Sequence, residues 1–399
     1  MLKKKLFYKL RKYSCLYFRD FVKWVLLAPC GILVRQGQLT AQESKGGRKN
    51  LVILRPDGIG DFVLFAREFH RYRKLYPVAQ WKITLVGNKV WQALAEDLNA
   101  ALSDRWFDEF LPVDRNALRR SFSYRRSIAI KLKCLSCDEL IYPVHSRDVW
   151  GCVFSRWINA KKKIAPFGDT ASLCLLFKLY FDRYFDQLKS ESLNFQLEVD
   201  RADCFLRGLG DSTPLSSCFI GLPVTAKMAE EKEVALSIAG LRVVDPYMVL
   251  FPGASWPGKR WPVSRFVEWG KLKTKKNEIA VIVCGGPGEE KLGQTVADKI
   301  GENAHSLAGK TSLIGLAGLI AGAVECIGND TAAVHLSAAF SRPTMCIMGG
   351  GHWGRFWPYG DLEVNQTISF PMPCFGCGWV CKYKSMPVPC IENAGRCLG

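Results

Sequence analysis

Short apolar runs that stop at a glycine or polar turn, each followed by a helical pattern, recur along this chain and narrow its fold more than any other feature. Leu51-Val52-Ile53-Leu54 is the first, with the length and all-apolar character of a strand buried on both faces. It ends in Arg55-Pro56-Asp57-Gly58-Ile59-Gly60-Asp61, after which Phe62, Phe65, Ala66, Phe69 and Tyr72 share one helical face until Pro77. A strand at Trp81–Val86, a helix at Val90–Leu98 and a strand at Glu139–Tyr142 continue the alternation. A second block starts with strand Met248–Phe251 and helix Val263–Lys273, then strand Ile279–Cys284 and a helix to about Ile300. Helix Ser312–Ala321, strand Glu325–Ile327, a helix opening at Asn329-Asp330 and strand Thr344–Met348 complete it. Strands alternating with helices predict an α/β chain with two doubly wound parallel sheets in tandem. Residues 168–240 read as aromatic helical stretches and an interdomain connection.

At 399 residues, 48% of them hydrophobic, the chain can bury two ordinary cores. Its formal net charge of +18 is unevenly placed. Residues 1–50 hold twelve Lys/Arg against Asp20 and Glu43, and a second cluster comprises Arg115, Arg119, Arg120, Arg125, Arg126, Lys131 and Lys133. Such patches suit phosphates on a membrane surface or an anionic acceptor, or are solvated basic faces. No nucleic-acid motif accompanies them, so nucleic acid is not an expected partner. Lys23 interrupts the apolar run Phe21–Val34, which therefore reads neither as a secretory signal nor, at well under ~20 residues, as a membrane span. Lys3 to Trp24 mixes cations with Leu, Phe, Tyr and Trp. That composition suits either a helix lying in an anionic membrane interface or one packed on the protein's own surface.

The second block places suitable chemistry at four strand ends. Gly253-Ala254-Ser255 precedes Lys259: small residues let backbone N–H groups approach a phosphate, and the lysine adds a point charge. Gly285-Gly286 precedes Glu289, a carboxylate suited to ribose hydroxyls. Asn329-Asp330-Thr331 opens a helix that carries His335 one turn on, and a helix N-terminus favours anions. Gly349-Gly350-Gly351 and His352 follow the last strand. A Gly-Gly pair is more often a plain turn and a lone Asp an N-cap, but four such loops at sheet-consistent intervals point to a nucleotide grip.

These residues resemble glycosyltransferase family 9, the heptosyltransferase family of lipopolysaccharide core synthesis. The matching pieces are Arg55–Asp61, Lys259-Arg260-Trp261-Pro262, Gly285-Gly286 with Glu289, Leu307–Leu313, and Gly328-Asn329-Asp330-Thr331 with His335. The resemblance implies a GT-B fold, two Rossmann-like doubly wound domains facing a central cleft. The chain is expected to divide into a basic amphipathic extension and linker (1–49), an acceptor domain (50–240), a nucleotide-sugar domain (241–365) and a Cys-rich tail (366–399), the extension and the tail not being general features of the family. The resemblance implies an inverting transfer that requires no cofactor, with ADP-heptose as the commonest donor and a lipopolysaccharide or other membrane-linked saccharide as acceptor. The enzyme would be cytoplasmic and peripheral to the inner membrane. Asp61 resembles the general base, Lys259 the diphosphate lysine and Glu289 the ribose ligand. Ser255, Gly285, Gly286, Asn329, Asp330, Thr331 and His335 complete the implied donor site, with packing an equal reading for His335. Asp57, Gly60 and Arg147 are the implied acceptor-side residues. One departure is Ala332, which stands where the family usually carries Gly, at the mouth of the implied phosphate pocket.

The tail reads Cys374-x2-Cys377-x3-Cys381-x8-Cys390-x6-Cys397. A Cys-x2-Cys start with Cys381 and Cys390 nearby can hold a structural zinc; reduced cysteines packed in a core are the other reading, and no catalytic metal is expected. The alternative to an enzyme is a relative that keeps the nucleotide-sugar grip as a membrane-associated binding or scaffold protein. Retention of both Asp61 and Lys259 favours the transferase.

Overall fold

The computed structural model describes residues 17–27, 47–189, 197–214, 221–277, 279–383 and 385–395. Contacts divide the chain into two units: Met1–Gly58 with Glu68–Cys218, and Ile59–Arg67 with Phe219–Gly399.

A helix over 17–27 (α1) comes first. Strand β1 (Lys49–Arg55) leads to α2 (Ile59–Ala66), α3 (Phe69–Leu75), β2 (Trp81–Asn88), α4 (Gln92–Ala100) and β3 (Glu109–Val113). Then come α5 (Arg115–Arg120), α6 (Phe122–Cys134), β4 (Ser136–Ile141), α7 (Val149–Trp157), β5 (Asn159–Pro166), α8 (Leu175–Asp182), β6 (Gln187–Lys189) and α9 (Glu198–Gly208). The first unit's strands pair in parallel in the order β3-β2-β1-β4-β5-β6. β1 is buried from Leu51 onward, because it lies at the centre of a sheet covered on both faces. A buried ion cluster stiffens this unit: Arg71 donates to Glu68 (2.6 Å), Asp203 (2.7 Å) and Asp211 (2.6 Å). These hydrogen bonds offset the cost of burying its charge.

The second unit holds α10 (Ala226–Ile238), β7 (Tyr247–Phe251), α11 (Val263–Asn277), β8 (Ala280–Val283), α12 (Glu290–Ile300) and β9 (Ala304–Ser306). Helix α13 (Leu313–Gly322), β10 (Cys326–Asn329), α14 (Ala332–Ala339), β11 (Thr344–Ile347), β12 (Asn365–Ile368) and α15 (Pro389–Glu392) complete it. Its parallel sheet runs β12-β11-β10-β7-β8-β9. Numbered from its own first strand, each sheet has the order 3-2-1-4-5-6, so the paired doubly wound architecture stands.

Three boundaries differ from the sequence expectation. Helix α10, placed before residue 240 with the first domain, packs on α13 of the second unit. A Cβ on Gly318 would meet the Met228 carbonyl oxygen at 2.1 Å, and the Ser312 hydroxyl bonds Glu231. Ile59–Arg67 also group with the second unit. The tail is no separate appendage: Val388, Cys390, Ile391 and Ala394 are buried in the second unit's core. Among the described residues no helix is long and apolar enough to cross a membrane.

Candidate functional site

Open doubly wound sheets leave a crevice where the strand order reverses. In the second unit that point lies between the carboxyl ends of β7 and β10, and the candidate donor residues stand there. Asn329, fully buried, ties the two ends together. Its amide donates to the carbonyls of Pro252 (2.9 Å) and Gly253 (3.1 Å), and its Oδ1 accepts from Trp261 N–H (2.9 Å). Its side chain shapes the loops from within.

Lys259, at the end of the short 3₁₀ turn Pro257–Lys259, reaches across to Asp330 with Nζ 3.0 Å from Oδ2. His352, from the loop after β11, holds Nδ1 3.8 Å from the same oxygen. Burial works to raise the Asp330 carboxyl, but His352, Lys259 and the nearby His335 outweigh it and hold the group well below the usual carboxylate range. Lys259 also lies 4.8 Å from the centre of the Trp379 ring, and Trp379 packs edge-on to Trp256 (5.3 Å) and His352 (5.7 Å). The cation is thereby steered by a carboxylate on one side and a π face on another.

Thr331 precedes α14 and its hydroxyl makes no capping bond, so the first-turn N–H groups are capped by no side chain of their own and can meet an anion. Ser255 is exposed in the β7 loop. After β8, Glu289 accepts a hydrogen bond from Gly286 N–H (2.9 Å). A Cβ on Gly253 would lie 2.1 Å from Glu289 Oε1, and one on Gly285 2.9 Å from Oε2. Glycine at both strand ends makes the space that this carboxylate fills.

The candidate base approaches from α2. Asp61 lies in that helix's first turn and acts electrostatically on His335, whose burial lowers its pKa against the pull of Asp330 and Asp61. A Cβ on Gly60 would meet His335 Cδ2 at 3.3 Å and the Ala332 Cα at 3.5 Å, so glycine permits the close approach of α2 and α14. Ala332 lies against Gly60 of α2, its Cβ 3.8 Å from where a Cβ on that glycine would stand. His335 is buried, faces the Tyr359 hydroxyl from Nδ1 at 3.1 Å and stacks on that ring at 5.8 Å, so packing accounts for its position.

Asp57 and Arg147 belong to the other unit. Asp57 pairs with Arg55 at 3.1 Å, and its backbone carbonyl accepts from Asn88 (3.0 Å) and Trp91 (3.1 Å). Arg147 departs from expectation: it is only 1% exposed and donates to Asp182 (2.5 Å) and the Phe167 carbonyl (3.0 Å). Its guanidinium holds α8 in place and offers no surface to an acceptor.

Sequence reasoning missed Trp379, because the tail was read through its cysteines. The tail in fact lines the glycine loop. Gly376 and Gly378 N–H donate to the carbonyls of Gly350 (2.7 Å) and Gly351 (3.1 Å), Val388 N–H to Gly258 (3.2 Å), and Trp261 Nε1–H to Ala394 (3.0 Å). A Cβ on Gly351 would strike the Trp379 ring at 2.1 Å, so the triple glycine accommodates aromatic side chains as well as turning the chain. Cys374, Cys377, Cys381 and Cys390 are free thiols; burial and its three neighbours raise Cys377. Among the described residues no group of three or more His, Cys, Asp or Glu is placed to hold a metal ion, and Cys397 lies outside them.

Comparison with known proteins places this geometry. Residues 214–382 match the model of glycosyltransferase family 9 (heptosyltransferase). The chain is 33% identical over 131 residues to lipopolysaccharide heptosyltransferase 1 of Pseudomonas aeruginosa, a stretch covering 32% of this chain and 36% of that one. The matches span half or less of the length of the curated relatives. Among solved structures, a family 9 glycosyl transferase from Veillonella parvula superposes with a TM-score of 0.62 at 20% identity, covering 75% of this chain and 80% of that one. An E. coli heptosyltransferase solved with ADP-2-deoxy-2-fluoro heptose gives 0.59 at 18% identity, covering 82% and 97%. These likenesses establish the GT-B fold.

Proposed function

We propose, for a chain whose residues 214–382 match the model of glycosyltransferase family 9 (heptosyltransferase), that it transfers a sugar from a nucleotide-sugar, ADP-heptose first among donors, to a membrane-linked saccharide such as lipopolysaccharide core. The observation that carries the reading is the Lys259–Asp330–His352 cluster at the sheet's switch point, with Asp61 brought up to α14 on α2.

The acceptor hydroxyl oxygen attacks the anomeric carbon, its proton passes to the Asp61 carboxylate, and the bond from that carbon to the diphosphate oxygen breaks with inversion. The electron pair leaves on the nucleoside diphosphate. Lys259 and the N–H groups opening α14 stabilise that growing charge. Glu289 accepts from ribose hydroxyls, with Gly285 and Gly286 giving the backbone room to approach. Ser255 and Thr331 offer hydroxyls at the phosphate end. Asp330 keeps Lys259 aimed while the site is empty, and the diphosphate takes over part of that pairing when it binds. Asp57 and Gly60 flank the turn that presents the base. A cytoplasmic enzyme working at the membrane face fits this donor and acceptor.

The test is Asp61→Asn, which removes the proton acceptor at constant shape. Transfer should fall by about two to four orders of magnitude, while donor affinity by calorimetry changes little. Full transfer activity in that variant overturns the base assignment. Donor binding without any transfer in the wild type would favour the non-catalytic relative.

A further inference from the structure

Helices α1 and α8 each bury ionic groups while leaving a set of large apolar side chains exposed. Asp20, the acid of α1, is fully buried and accepts a hydrogen bond from Cys174 N–H at 2.9 Å, at the start of α8. Arg19 donates to the Ser172 carbonyl (2.8 Å), Trp24 meets Phe177 at 6.4 Å, and Leu27 lies in the core. Lys23 also turns inward, where burial lowers its pKa against the pull of Asp148. On α8, Lys178 is buried and bonds Asp182 at 2.5 Å, the carboxylate that Arg147 holds from the other side.

The opposite faces carry Phe18 (73% exposed), Phe21, Val22 and Val25 on α1, and Leu175, Leu176 (63%) and Leu179 on α8. Positions 18, 21, 22 and 25 follow helical spacing, so they form a stripe and not scattered exposures. An apolar face of this kind on a water-facing surface marks a site of association. Its borders are cationic: Arg19 is exposed beside it, while at the far end of α8 Arg156 donates to the Tyr180 hydroxyl (2.8 Å) and Arg183 lies 4.6 Å from the Tyr180 ring. Residues 1–16, next in sequence, contain six Lys/Arg and no acid.

We infer that this two-helix face docks the first unit on an anionic lipid bilayer, the phenylalanines and leucines entering the acyl boundary and the arginines meeting lipid phosphates. Charge selects this occupant over a second copy of the chain, because self-association through this face would bring two cationic borders together in a protein of net charge +18. The inference rests on the proposed function only in its membrane-linked acceptor; the docking itself needs neither donor nor sugar.

The test uses the full chain and vesicles of phosphatidylcholine with phosphatidylglycerol, against pure phosphatidylcholine, with no donor or acceptor present. The wild type should co-sediment with the anionic vesicles and be released by salt. The Leu176→Ser/Leu179→Ser variant changes exposed side chains only. It should keep its circular dichroism and nucleotide binding yet lose vesicle affinity by about tenfold or more. Phe18→Ser/Phe21→Ser should do the same through the other helix, and Arg183→Gln should cost about fivefold. Wild-type binding by the serine variants overturns the inference. So does a wild-type dimer in light scattering that these substitutions dissociate, which would make a second copy the occupant. Loss of transfer activity with intact vesicle binding would count against the proposed function alone.

Discussion

Replacing Lys259 by alanine isolates the ion pair at the centre of the candidate site. Asp330 keeps only 5% side-chain exposure and Lys259 15%, so the substitution leaves a nearly buried carboxylate without its main cation. Breaking a buried pair from one side costs about 3–5 kcal/mol. The lower end, about 3 kcal/mol, applies here because Lys259 retains some contact with water and His352 remains 3.8 Å from the same oxygen. With two units able to open separately, the suitable readout is amide exchange in peptides from β10 and α14, with β1 and β2 as the internal reference. At about 1.4 kcal/mol per decade, exchange limited by opening of this unit should accelerate by roughly two orders of magnitude. The pH dependence follows from the same pair. The folded Asp330 carboxyl is held below its ordinary value, so its contribution is present above the unfolded pKa of about 3.9 and is lost as pH falls through the lowered folded value. Without Lys259 burial lifts that carboxyl, and the acid loss of protection should begin at higher pH. A Lys259→Met/Asp330→Asn double variant should lose less than the single one, since no uncompensated charge stays behind. Unchanged protection in Lys259→Ala, or an equal loss in β1 and β2, would refute the account.

The loops around this pair yield two further expectations. Gly253→Ala pushes a Cβ into the Glu289 carboxylate (2.1 Å), a flexible group that can swing away. The variant should therefore fold normally yet bind nucleotide about 10- to 100-fold more weakly, measured by calorimetry, through the lost charged hydrogen bond. Trp379→Ala removes the ring 4.8 Å from Lys259 and should weaken donor binding by about 0.5–2 kcal/mol, whereas Trp379→Phe should recover part of it. Equal losses in the two would refute the account in which an aromatic face beside Lys259 supports donor binding.

Central strands were legible because a strand buried on both faces is a run of apolar residues: β1, β7, β8 and β11 all carry that mark. Strand β5 carries none. Its Lys161, Lys162 and Lys163 interrupt any apolar run, and the structure answers them from adjacent elements: Asp138 (2.8 Å) and Glu139 (3.7 Å) on β4, and the Ser155 carbonyl (2.7 Å) on α7. The donor residues were legible for a related reason. The short loops after β7, β8 and β10 expose their polar residues at one end of the sheet, so position along the chain predicts position in space. Arg147 followed the same logic and failed, because the loop after β4 turns inward and Asp182, thirty-five residues on, takes its charge. Trp379 had no such guide, since it reaches the site from a tail beyond the last strand.

The grouping of Ile59–Arg67 with the second unit changes how the site is put together. Asp61 follows β1 directly in the chain, yet its helix packs on α14 through Gly60, and Arg67 lies 5.5 Å from the Tyr359 ring that stacks on His335. The chain passes from one unit to the other within Gly58-Ile59 and back within Arg67-Glu68. The candidate base and the residues proposed to bear the leaving group therefore share one packing unit. Their mutual geometry is set by the fit of glycine against a helix start, as pre-organised electrostatic catalysis requires. Helices α1 and α8, proposed above to meet lipid, belong to the other unit, apart from the candidate base and its partners.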